Sequence, residues 1–128
     1  MKARKIIECG DKEFKPHPLH WVVEPLMIEP SYIEKSMFGC RGCYLLGRLI
    51  LVLTSRDREP WKGLLIPTEK ECHESLMNEF PALIVHPVLR KWLYLPEDIE
   101  EFEEFGAKLV DLVARDDPRL GVIPRPKE

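Results

Sequence analysis

Alternation of apolar and polar positions is densest in the middle of the chain, and strands are the first elements it predicts. Residues 33–54, IEKSMFGCRGCYLLGRLILVLT, hold the one concentrated run of β-favouring side chains. Glycine allows a backbone to turn where a Cβ would clash, so the breaks at residues 39–42 and at Gly47-Arg48 predict three successive antiparallel strands. A charged loop, 55–60, leads to a fourth strand at 61–66, WKGLLI, in which Gly63 is expected to mark a bulge. Two further β segments, 82–85 and 90–95, flank His86-Pro87. In the second, alternation sets Lys91, Leu93 and Leu95 against Arg90, Trp92 and Tyr94.

Helical spacing frames these strands. In residues 19–28, LHWVVEPLMI, one face carries Leu19, Val22, Val23, Leu26 and Met27, while Pro25 predicts a kink or an end near Glu24. Trp21 lies off that stripe and is placed to pack on the preceding arm. Thr68 and Glu71 have capping-box spacing, so a helix is expected from there to about Phe80, with Cys72, Leu76 and Phe80 inward and Pro81 as its stop. Pro96 suits a first helical turn, and Glu97, Asp98, Glu100 and Glu101 complement the positive end of a helix dipole. Ile99, Phe102, Phe105, Leu109, Leu112 and Val113 then recur at three and four residues until Asp116-Asp117-Pro118. The expected fold is α+β: two layers, a mostly antiparallel sheet with helices on one face, in the order αββββαββα. Residues 1–18 read as an N-terminal arm, 19–115 as the domain and 116–128 as a C-terminal tail. If Leu45, Leu49, Leu51 and Leu53 do not all point under the helices, the opposite sheet face is expected to mediate self-association.

A hydrophobic content of 45% beside 32% charged residues makes this a globular rather than a disordered composition, and 128 residues suffice for one core. The longest apolar run, 49–53, is too short to cross a bilayer, and the charged N-terminus lacks a signal peptide's apolar centre. A cytoplasmic location is therefore expected. A net charge of -3 supplies no overall field for nucleic acid, and Lys2, Arg4, Lys5, Arg125 and Lys127 read as solvated ends.

Four cysteines without a secretory signal point to thiols or metal rather than a disulfide framework. Cys40-Arg41-Gly42-Cys43 is the sharpest constellation, because two thiols on a turn can share a metal. A zinc site would need Cys72 and His73 as well, which requires the middle helix to begin near the hairpin. A redox pair would sit at a helix N-terminus, and glycines and β-formers surround this one. Buried structural thiols are the reading favoured over both. His17, His20 and His86 read as capping or surface groups. Trp61, Trp92 and Tyr94, with Arg90, Lys91 and Arg41, suggest a base-stacking platform, against which core or dimer packing is the simpler account. No phosphate-cradling loop, nucleophile elbow or paired-carboxylate frame is present in the sequence, so no enzyme is expected.

Met37-Phe38-Gly39, followed by Gly42, Tyr44 and a Gly47-Arg48 turn into an apolar strand, resembles the N-terminal domain of the TfoX family of bacterial competence regulators. The likeness covers roughly residues 19–115. Ser36 stands where that family has arginine, and Cys40 where it has a second glycine. The resemblance implies a non-catalytic bacterial domain for regulation or protein contact, a homodimer, and neither catalytic residues nor a cofactor. Expected partners are a second copy and another protein, not nucleic acid or membrane. A metal or thiol-redox protein using Cys40 and Cys43, and a weak nucleic-acid binder, stand as the alternatives.

Overall fold

Between residues 33 and 66 the alternation becomes a meander. Strands β1 (Ile33–Met37), β2 (Cys40–Leu45), β3 (Arg48–Ser55) and β4 (Lys62–Ile66) pair antiparallel in chain order. This is a computed structural model that describes residues 17–37, 39–56 and 58–123. Most of the expected N-terminal arm, Phe38 of the hairpin motif, and residues 124–128 of the expected tail lie outside the described residues.

Positive backbone φ angles at Leu46 (54°) and Gly47 (78°) make the tight β2–β3 turn, the combination that a two-residue hairpin requires. The first turn is shorter than expected: Gly39 takes φ 77°, and β2 begins at once with Cys40. β5 (Ile84–Val85) and β6 (Leu93–Pro96) follow later in the chain, and β6 inserts beside β4. The sheet order is β1-β2-β3-β4-β6-β5, antiparallel throughout.

The irregularity expected at Gly63 lies elsewhere. Cys43 faces Leu51 and Tyr44 faces Leu49, leaving Ile50 as the extra residue of a β-bulge. Ile50 and Leu51 consequently both join Leu53 in the core under the helices, whereas Leu49 and Val52 face the other side. Gly63 instead permits close strand approach. A Cβ there would lie 2.1 Å from the carbonyl oxygen of Leu95, so only glycine lets β4 and β6 come together.

Among the described residues the helical layer contributes to one core cluster only, with Cys43, Leu45, Leu64, Ile66, Leu93 and Leu95 from the sheet. The first helix, His20–Ile28, is a 3-10 helix that passes through Pro25 instead of ending before it. It buries Val22, Val23 and Leu26 but leaves Met27 exposed. Trp21 packs edge-on against Phe102, with ring centroids 6.1 Å apart. Helix α1 (His73–Glu79) follows a 3-10 turn at Lys70–Cys72 and has no side-chain cap. The expected capping box does not form, because Thr68 is buried and its hydroxyl donates to the carbonyl of Arg119. Helix α2 (Phe102–Ala114) begins later than Pro96, which closes β6 instead. Of the stripe that the spacing predicts, Phe102, Leu109 and Val113 are buried and Phe105 and Leu112 are half-buried, while Val110 is buried in addition; each buried side chain contributes about 2 kcal/mol by leaving water.

Two expectations about surfaces change. Residues 116–123, read as part of a tail without core pattern, return to the sheet: Leu120 is buried and Val122 bridges Leu49. Arg48 secures this return by donating to the carbonyls of Leu120 and Gly121. The sheet face away from the helices is also largely occupied by the chain itself. Leu49, Val52, Leu65 and Tyr94 form a second buried cluster, against which Trp61, Leu89, Trp92 and Val122 pack.

Candidate functional site

Alternation along β2 decides the fate of the two central thiols. Residues three apart on a strand point to opposite faces. Cys40 joins the second cluster and Cys43 the helix-side core, both buried. Cys40-Arg41-Gly42-Cys43 lies in a strand and not on a turn, so it presents no converging thiol pair. Burial pushes the Cys43 thiol up to about 12. Cys72 is half-buried on its 3-10 turn, and the His73 ring bonds the carbonyl of Lys91 at 2.8 Å. Among the described residues no group of three His, Cys, Asp or Glu side chains is placed to hold a metal ion.

The residues that carry the family resemblance build hairpins. Gly39 and Gly47 supply the turns, and Gly42 makes room where a Cβ would press on Leu49, Met37 and Tyr44 at 3.3 to 3.4 Å. The aromatic platform is likewise committed to packing. Tyr94 is buried, accepting the Lys62 N–H and donating to the carboxylate of Glu59. Trp61 lies against the His86 ring with centroids 4.6 Å apart. Arg90 and Lys91 are exposed, but Arg41 turns to the other face and bonds Glu34.

Two polar centres were not legible from spacing. The first is Glu34, opposite Cys43 in the β1–β2 ladder. One carboxylate oxygen, Oε2, meets His20 Nε2 at 2.9 Å and the Tyr32 hydroxyl at 2.7 Å, and the other takes the Arg41 guanidinium at 3.1 Å. Burial would raise this carboxyl, yet the bonds from His20, Tyr32 and Arg41 hold it below the usual range. The bond to Glu34 raises His20. Burial, reinforced by the Arg41 charge, lowers His17 to about 4. The group has the residue types of acid–base chemistry, but both Glu34 oxygens are engaged within the fold, and it joins the first helix to β1 and β2.

His86 forms the second centre. Its Nδ1 accepts the N–H groups of Val88 and Leu89 at 3.1 and 2.9 Å, so Nε2 carries the proton donated to the Pro60 carbonyl at 3.0 Å. Burial lowers its pKa. A neutral, fully bonded imidazole thus pins loop 86–92 to loop 56–61 over the second cluster.

Openings of a different character lie along the other side of the first helix. A cleft of about 310 Å³ between Trp21, Pro25, Ala107 and Ala114 adjoins one of about 200 Å³ between Pro25, Ile28, Leu46 and Ala114. Sharing Pro25 and Ala114, the two follow one another along a seam between the helix and α2, largely apolar in the larger cleft and edged by Glu29, Arg48, Asp116 and Asp117 in the smaller. Trp21 is 44% exposed, Ile28 86% and Leu46 68%, side chains that a closed core would have covered.

No protein-family model matches the chain, and no curated protein or solved structure matches it.

Proposed function

We propose that the chain is a non-catalytic protein-contact or regulatory domain of the cytoplasm, as the TfoX-like hairpin motif implies. The observation that carries this reading is the set of large apolar side chains exposed beside the seam, Trp21, Ile28 and Leu46, together with Ile33 on the outer strand β1; Met27, Ile84, Val85, Val88 and Ile123 are exposed as well. The side chains with catalytic capacity, Glu34, His20 and His86, are meanwhile bonded to their own fold. No helix among the described residues is long and apolar enough to cross a membrane. Self-association as a homodimer is assigned to β1, the outermost strand of the sheet among the described residues, whose Ile33 is 49% exposed.

Two measurements test the reading. Sedimentation should give twice the single-chain mass, and Ile33→Lys should return it to one chain with unchanged circular dichroism. A photo-crosslinking phenylalanine analogue at position 28 or 46, expressed in the native host, should give discrete protein adducts. A monomer at every concentration would remove the homodimer. A monomer that also yields no adducts would remove the protein-contact reading.

A further inference from the structure

Resting on the protein-contact reading, we propose that the seam between the first helix and α2 docks a basic, amphipathic α-helical segment of a partner protein. The first helix has nine residues, which at about 2.0 Å each gives a wall of about 18 Å. That length accepts roughly twelve residues of an α-helix, about three turns. Apolar side chains at the bottom and rims suit a helix laid in a groove by anchors three and four residues apart.

Charge selects the occupant. Glu24 and Glu29 are exposed on the first helix and at its end, and no ion pair among the described residues engages either. Asp111 and Asp116 line the α2 side. Arg48 pairs with Asp116 and also donates to the carbonyls of Leu120 and Gly121, and Arg115 pairs with Asp111 at 2.9 Å, so these charges cancel and the net negative charge along the seam is that of Glu24 and Glu29. Two copies placed seam to seam would bring these carboxylates together, and a nucleic acid or anionic membrane would be repelled. A Lys- or Arg-flanked apolar stripe meets no such opposition.

Leu46 points the same way independently. It occupies a left-handed turn position, φ 54°, that favours asparagine or glycine, and it stands 68% exposed. Neither packing nor the turn requires leucine there. A docked apolar partner does.

The test is calorimetric titration of the intact protein with a Leu/Lys amphipathic peptide of about fourteen residues and its Leu/Glu counterpart of identical spacing. The Leu/Lys peptide should bind at least about tenfold more tightly. Glu24→Lys with Glu29→Lys should reverse the preference, and Leu46→Asn, which keeps the turn, should weaken binding. Equal affinity for the two peptides, binding that survives Leu46→Asn combined with Ile28→Ser, or no binding of either would overturn the proposal. None of these touches the protein-contact reading, which stands or falls on the mass and the adducts.

Discussion

Glu34 shows how much one carboxylate can organise. Replacing it by Gln removes the charge that offsets Arg41 and His20 while keeping the shape. Breaking a buried pair from one side leaves an uncompensated charge, so Glu34→Gln should cost about 3 kcal/mol, read as a lower urea midpoint. The histidines around it give stability opposite pH dependences. His17 titrates lower in the folded chain, near 4, than in the unfolded chain, so the unfolded state takes up its proton first as pH falls from 6.5. His86, also lowered, acts in the same direction. Stability should therefore decline between pH 6.5 and 4, and His17→Gln should flatten that decline. His20 is raised; its contribution is complete below 6.5 and lost as pH rises through its folded value. Thermal melts of His20→Gln should lack the decline above pH 6.5 that the parent shows.

Elements were legible where a repeat recorded them. Alternation around Leu93, Tyr94 and Leu95 gave β6 and its two faces, and the three-and-four spacing of Phe102, Leu109 and Val113 gave the buried stripe of α2. What spacing cannot record is tertiary demand. Thr68 had the residue type for a cap, but the returning C-terminal segment claimed its hydroxyl. Pro96 had the φ for a helix start, but the register with Gly63 kept it in a strand. The Glu34 centre was missed because its members, at 17, 20, 32, 34 and 41, share no period and meet only when β1 and β2 pair beneath the first helix. The seam was invisible for a related reason: spacing set Trp21 off the buried stripe and gave Ile28 and Leu46 no distinct role, and only their exposure beside the two clefts relates them. At this scale Leu46→Asn should raise stability by about 1 kcal/mol, since a branched side chain in the left-handed region is strained, as a higher melting temperature would record. Gly63→Ala should do the reverse and lower stability by roughly 2 kcal/mol or more, because its Cβ would overlap the Leu95 carbonyl.

Across the whole molecule, the strongest constraint is the return of the chain after α2. Arg119, braced within the segment by Asp117, ties it to Ser75 and Glu79 of α1, and Arg48 ties it to β3. The last part of the described chain therefore locks both layers to each other. Leu120→Ala should lower stability by about 3 kcal/mol through the cavity it leaves. Far- and near-ultraviolet circular dichroism of that variant should still change together, as expected for one cooperative unit.

The placement of Cys40 and Cys43 on opposite sides of one strand has an experimental use. In a Cys9→Ser, Cys72→Ser background, thiol modification under an alkylating reagent would clock local opening of each compartment separately. Cys43 reacts when the helix-side core opens, and Cys40 when the second cluster opens. Two modification rates that respond differently to denaturant would mean that the sheet is a partition between halves that breathe independently.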